Sequence, residues 1–288
     1  MPIRLLAIDI DGTLLDSKGH LPDANRDAIA RAVAAGVEVA LVTGRSFTFA
    51  RPVAEALPDD LTLIVSNGAV VKAKDGVTKL QRLLPRAVAR HVLAGTRSFR
   101  HAAAVIFDRP HEGQIVTETM DWEQPNRRGY FERNRGRIAT TAKLEEALTE
   151  DPIQVMFNGS VAPMRELLDV LGTLPDANGF EVALTEYERR DFSLLDVLAR
   201  GCSKGSVLAE WAAGRGISRD QVMAVGDNFN DRQMLEFAGL PVVMGNAVDE
   251  LKTRGWMVTG TNDEAGLAAA IERFILVPIV DFRSKISD

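Results

Sequence analysis

Residues 9–16 read DIDGTLLD: three acids around a Gly-Thr pair, directly after the apolar run IRLLAI. A strand repeats every second residue, so Asp9 and Asp11 leave on the same face, about 6.7 Å apart if the chain stays extended. Two like charges 4 Å apart repel by roughly 4 kcal/mol at an effective dielectric of 20. Such a pair calls for a cation between or beside it, or for a proton on one member. Either answer points to chemistry; the plain alternative is an Asp pair that serves as turn and cap where strand meets loop.

Working outward, IRLLAID reads as a fully buried strand. Pro22 opens a helical stretch with Ala28, Ile29, Ala32 and Val33 on one face, and Gly36 stops it. VEVALVT is a second β-rich run ending at Gly44, residues 46–57 are helical up to Pro58, and LTLIVS is a third strand. This β-α-β-α-β rhythm is that of a doubly wound parallel sheet. Its right-handed crossovers leave the strand C-termini on one edge, outside which ligands bind. After residue 68 the rhythm changes. AVVKAKDGVTKL is a hairpin about Asp75-Gly76. Helices are then expected over 85–98, 143–148 and 162–171, among the strands AAVIF, QIVTET, IQVMF and FEVALT. Past FSLLDVL the first rhythm returns: helices over 203–214, 231–237, 247–253 and 263–275, with strands at VMAVG, PVVM and near Met257. The expected fold class is α/β, a doubly wound parallel-sheet core from residues 1–82 and 190–288, with an inserted α+β domain over 83–189.

Composition narrows the function. A chain of 288 residues, 46% apolar and 26% charged, is an ordinary globular protein large enough for a substantial core. A net charge of −6 argues against a nucleic-acid or anionic-membrane binder. A single cysteine, Cys202, excludes an intrachain disulfide and a Cys-rich zinc site. His20, His91, His101 and His111 lack the spacing of metal ligands. No apolar stretch approaches the ~20 residues of a membrane span, and MPIRLLAIDID does not read as a signal peptide, so a cytoplasmic protein is expected. One local bias stands out. NRRGYFERNRGR (126–137) sets five arginines against one glutamate. It is either a solvated face or a lip turned toward an anionic ligand.

If the strand ends share an edge, the residues just beyond them converge. These are Asp9 and Asp11, Thr43-Gly44-Arg45, Ser66-Asn67-Gly68, GDNFND (226–231) and MGNA (244–247). Carboxylates thus arrive from two distant parts of the chain, Asp9/Asp11 and Asp227/Asp231. An oxygen cluster of this kind suits a hard cation, and Mg²⁺ takes one or two carboxylates together with phosphate and water. A calcium EF-hand loop fails on spacing: counted from Asp9, position six is Leu14 and position twelve is His20.

Taken in order, DIDGTL, VTGR, the lysine of GCSKG (201–205) and GDNFND resemble the four motifs of the haloacid dehalogenase superfamily. The insert, with SNGA and MGNA, resembles the C2-type cap of the Cof-like phosphatases. The resemblance covers residues 1–275. It implies a phosphatase acting on small phosphorylated metabolites, sugar phosphates first, through an aspartyl-phosphate. Asp9 would be the nucleophile and Asp11 the general acid and base. Mg²⁺ would be held by Asp9, the main-chain carbonyl of Asp11 and Asp227, with Asp231 orienting the metal shell or Lys204. Thr43, the Gly44 amide and Asn230 would hold phosphate oxygens, and Lys204 would stabilise the transferring group. Asn67 would shape its turn or touch substrate. Arg45 reads as structural. The implied partner is a small-molecule phosphate ester, with no nucleic acid or membrane; a homodimer stays open. A phosphomutase on the same core, or a non-catalytic phosphometabolite-binding module, stays open as well.

Overall fold

The computed structural model describes residues 2–119, 132 and 134–277. Arg127, Arg128 and Arg133 of the arginine-rich stretch lie outside them.

The chain opens with strand β1 (Leu5–Ile8), helix Asp23–Ala34, β2 (Glu38–Val42), helix Phe47–Glu55 and β3 (Leu61–Val65). A hairpin follows, β4 (Val70–Ala73) and β5 (Thr78–Gln81), turning at Gly76 with φ of 94°. The next segment holds β6 (Ala103–Ile106), β7 (Ile115–Thr117), β8 (Ile138–Thr140), β9 (Gln154–Gly159), β10 (Phe180–Tyr187) and β11 (Phe192–Ala199). Its helices are Arg86–Gly95, Leu144–Ala147 and Val161–Gly172. The return brings helix Lys204–Gly214, β12 (Val222–Gly226), helix Arg232–Phe237, β13 (Leu240–Val243), helix Asp249–Lys252, β14 (Met257–Val258) and helix Gly266–Ile271.

Two sheets result. The larger runs β14-β13-β12-β1-β2-β3-β4-β5. It is parallel from β14 to β3 and antiparallel in the hairpin. β1 lies between β12 and β2, and all four of its side chains are buried, which is why IRLLAI shows no alternation. The smaller sheet runs β10-β11-β9-β6-β7-β8 and is antiparallel except where β7 meets β8. The fold class expected from the sequence is borne out: a doubly wound parallel core carrying an α+β insert.

The boundary expected at 189/190 needs correction. β11 pairs along its whole length with β10 and also with β9, so the chain leaves the smaller sheet only after Ala199. FSLLDVL reads as a buried strand in either domain, and its composition does not say which sheet receives it. Alternation along the sheet has a clear consequence. Val105, Val155, Phe157, Leu195 and Val197 pack into the insert's own core with Leu93 and Leu167. Their neighbours Ala104, Ile106, Met156, Leu194 and Leu198 face the other way and join the core of the larger domain. The insert therefore sits on the core through one face of its sheet.

Candidate active site

Asp9 follows β1 at the edge where the parallel strands end, and it is buried. Its Oδ1 accepts a hydrogen bond from Lys204 Nζ at 2.6 Å, and Lys204 Nζ donates equally, at 2.6 Å, to Asp231 Oδ1. Lys204 is 1% exposed and stands at the first position of its helix, behind Ser203, which forms a capping box with Ser206. A cation opposes the dipole there, so its place is set by the two carboxylates. Burial alone would lower the pKa of the ammonium; Asp231 and Asp9 outweigh burial and raise it, so Lys204 stays charged.

Asp9, Asp227 and Asp231 are all buried, and one oxygen from each lies within 4.8 Å of the others. Burial pushes the Asp9 carboxyl up to about 7, with Asp231 and Asp11 acting the same way and Lys204 against them. Burial and the neighbouring Asp9 and Asp231 raise Asp227 well above the ordinary range. Asp231 is spent inside the protein: its Oδ2 accepts from the main-chain N–H groups of Asp227 and Asn228, at 2.9 and 3.0 Å. Gly12 admits Asp227 to the cluster. Its φ is 83°, and a Cβ there would collide with the Asp227 carboxylate.

Asp11 does not join the cluster with its side chain. Arg45 holds its carboxylate in a fork, Nε to Oδ2 at 2.7 Å and a terminal nitrogen to Oδ1 at 2.6 Å. The expected structural role of Arg45 is therefore a direct hold on Asp11, which leaves Asp11 only its main-chain oxygen for a metal. Thr43 is buried beyond β2, and its Oγ1 accepts from the Arg45 N–H at 3.1 Å. Gly44 lies against Asn67 and Asn230: a Cβ on it would sit 3.2 Å from Asn67 Oδ1 and 3.6 Å from Asn230 Nδ2. Asn230 Nδ2 donates to Asn67 Oδ1 at 3.0 Å, and Asn67 Nδ2 donates to Asp196 Oδ2 at 2.8 Å. Asn67 is 1% exposed, so its amide supports the wall of the site from behind.

The smaller domain reaches the site through β10. The main chain of Glu186 exchanges two hydrogen bonds with the Asn228 side chain, at 3.1 and 2.9 Å. This docking brings the next residue, Tyr187, toward the acids. Burial raises its phenol well above the ordinary value, and Asp11, Asp227 and Asp9 act the same way, so it remains a hydroxyl. Its ring stacks on Phe192 with centroids 6.3 Å apart. Among the arginines of 126–137, Arg137 rests over the Phe49 ring of the core at 5.6 Å. Sequence reading missed Tyr187, Asn228, Asp196 and the partner of Arg45. Asp196 left a trace, as one acid in the apolar run LLDVLA, and Asn228 stands inside GDNFND.

Fold and site together define a class: a doubly wound hydrolase with a paired-aspartate first strand, a buried lysine and a lid-like inserted domain. The chain matches the haloacid dehalogenase-like hydrolases over residues 6–271 and belongs to that family. The pyridoxal phosphate phosphatase YbhA of Escherichia coli K12 is 30% identical over 285 residues, covering 94% of this chain and 98% of that protein. The 5-amino-6-(5-phospho-D-ribitylamino)uracil phosphatase YcsE of Bacillus subtilis 168 is 28% identical, covering 95% and 96%. A crystal structure of a haloacid dehalogenase-like hydrolase from Bacteroides thetaiotaomicron superposes with a TM-score of 0.75 at 26% identity, covering 94% and 99%. The family resemblance carried by the four motifs is borne out. Among the described residues, no helix is long and apolar enough to cross a membrane.

Proposed function

We propose that this chain is a Mg²⁺-dependent phosphomonoesterase that hydrolyses small phosphorylated metabolites through an aspartyl-phosphate on Asp9. The observation that carries it is the buried cluster in which Lys204 ties Asp9 to Asp231 beside Asp227. An all-oxygen donor set that crowds like charges, with a glycine clearing space for Asp227, fits a hard divalent cation. Asp9, Asp227 and the Asp11 main-chain carbonyl would hold it. When bound, Mg²⁺ supplies positive charge that keeps Asp9 ionised and offsets repulsion between that carboxylate and a phosphate.

The residues divide the work. A carboxylate oxygen of Asp9 attacks phosphorus, and the P–O bond to the leaving group breaks. Asp11 would first turn from Arg45 and take up a proton from solvent; the departing oxygen then takes that proton. Asp11, now a base, takes a proton from water as the water oxygen attacks the acyl phosphate; inorganic phosphate leaves and Asp9 is regenerated. Lys204, Thr43, the Gly44 amide and Asn230 hold the phosphoryl oxygens while charge spreads over them. The docked insert excludes water from the first step.

Sugar phosphates are the first substrate class to test. The Tyr187–Phe192 stack, whose phenol senses the acids, favours a second, a planar heterocycle bearing a phosphate ester, and the named activities of YbhA and YcsE are of that kind. The test is phosphate release from a panel of sugar phosphates, heterocyclic phosphates and p-nitrophenyl phosphate, with Mg²⁺ and with chelator. Release that needs Mg²⁺ supports the proposal. Conversion of one sugar phosphate to another without release would assign a mutase, and binding without turnover a sensor.

A further inference from the structure

Among the described residues five acids are buried: Asp9, Glu186, Asp196, Asp227 and Asp231. Lys204 serves Asp9 and Asp231, Asp227 belongs to their cluster, and Arg165 pairs with Glu186 at 2.7 Å. Asp196 enters no ion pair among these residues and has no step in the reaction above. An unpaired carboxylate in an apolar interface is costly, so its surroundings bear reading.

Asp196 lies on β11 between Leu195 and Val197, which point into the insert's own core. Alternation turns it to the other face, with Leu194 and Leu198, toward the larger domain. Two neutral amides meet it there. Gln154 Nε2, from β9, donates to Oδ1 at 2.6 Å, and Asn67 Nδ2, from the loop after β3, donates to Oδ2 at 2.8 Å. Gln154 Oε1 is left buried with no partner, so this amide is oriented at the expense of its own oxygen.

Both Asp196 oxygens accept from amides here, the arrangement of the ionised group, and an ionised carboxylate only accepts, so above about pH 7 the contact has a direction. Asn67 must turn its NH₂ to Asp196 and therefore its oxygen to Asn230. Asn230 must in turn offer its NH₂ to Asn67, which leaves its second N–H for a phosphate oxygen. Reversed at Asn67, the chain would point an amide oxygen at the anion; reversed at Asn230, it would set two amide oxygens against each other. The backbone agrees: Ser66 and Asn67 both hold positive φ, 49° and 53°, so the loop keeps an unfavourable shape that carries the Asn67 amide between the two domains.

We propose that Asp196 is a positioning residue for phosphate binding: from the inserted domain it fixes the amide of Asn67, and through it that of Asn230, so the phosphate grip is complete only while the insert is docked. This rests on the reading of the site as a phosphatase centre. It makes the inserted domain a contributor to the phosphate pocket itself, besides whatever it presents to the rest of the substrate.

The test is Asp196→Asn in the full chain with Mg²⁺ at pH 8, where the wild-type carboxyl is ionised. It is read by calorimetric titration with inorganic phosphate and by KM and kcat for p-nitrophenyl phosphate. An asparagine of the same shape accepts or donates, so the direction of the relay is lost. Phosphate Kd and KM are expected to rise together about tenfold, the worth of one charge-assisted hydrogen bond, while kcat changes less than twofold. In an Asn230→Ala background the same substitution should add nothing. If Asp196→Asn does not fold, Asn67→Gly removes the amide while tolerating positive φ, and should give the same split. Phosphate affinity within twofold of the parent, or an equal further loss in Asn230→Ala, overturns the proposal. A wild-type chain that binds phosphate with this dependence but releases none from any ester would refute the phosphatase reading and leave the relay standing.

Discussion

Asp9 and Asp196 are equally buried, 5% exposed each, and both carboxyls are pushed to about 7. Their neighbourhoods are unlike. Around Asp9, burial is joined by the like charges of Asp231 and Asp11, and Lys204 works against them. Around Asp196, burial is opposed by the hydrogen bond from neutral Asn67. The first is a site governed by charge, which a cation or an anion can reset. The second is governed by direction, set by the geometry of two amides and by the proton on Asp196 itself. Equal pKa displacements therefore mark different duties: ready chemistry in the core, and alignment at the junction of the domains.

The largest expected effect separates the two at once. Asp9→Asn keeps shape and packing but cannot form an acyl phosphate, so kcat should fall at least about 1,000-fold in a chain that folds as before. Hydrolysis at a tenth of the wild-type rate by folded variant would remove Asp9 from the role of nucleophile. Next comes Lys204→Ala, which leaves two buried carboxylates without their cation. A loss of about 100-fold in kcat/KM is expected, with about 3 kcal/mol of stability lost in metal-free protein. An effect below fivefold on turnover would place the working charge elsewhere, with Arg45 the next to test.

Mg²⁺ sharpens the comparison without mutation. Asp9 and Asp227 have raised pKa values in the folded state, so the metal-free fold binds more protons than the unfolded chain, for Asp9 between about pH 4 and 7. Their contribution to stability therefore declines as pH rises through that window. A metal needs these carboxylates ionised, so its stabilisation grows over the same range. At 100 times its Kd a ligand adds about 2.7 kcal/mol, or about 5 °C in Tm for a chain of this size. That shift is expected at pH 8 and should shrink toward pH 5. A shift independent of pH would mean the ion binds away from Asp9 and Asp227.

What was legible in the sequence follows the same divide. Asp9, Lys204, Asp227 and Asp231 could be read because each stands just past a strand or at a helix start, in a short motif whose spacing the backbone fixes. The doubly wound core could be read because its buried parallel strands are unbroken apolar runs. Strand membership in the insert was harder: FSLLDVL suits either sheet, and only its pairing with β10 and β9 assigns it. The hold of Arg45 on Asp11 and the approach of Tyr187 join elements far apart in the chain, and no local pattern records them. Asp196 showed as a lone acid in an apolar strand. Its meaning needed the second domain to be set against the first.

The smallest effect concerns Asp196 itself and tests whether its surroundings are as uncharged as they look. Its folded pKa of about 7 lies above the 3.8 of a free carboxyl, so the folded chain holds its proton longer than the unfolded one. This group therefore costs stability progressively as pH rises from about 4 to about 7. Asp196→Asn carries no such proton. Measured against the wild type in chelator, the variant should gain about 2–3 kcal/mol in relative stability between pH 5 and pH 8. At pH 5 it should be the weaker protein, because its NH₂ faces one of the two amide donors of Gln154 and Asn67. Mg²⁺ should leave this difference unchanged, since nothing ties Asp196 to the metal cluster except two amides in series. A stability gap that closes when Mg²⁺ is added would show Asp196 to be part of the core's charge balance, and the distinction between the two carboxylates would fail.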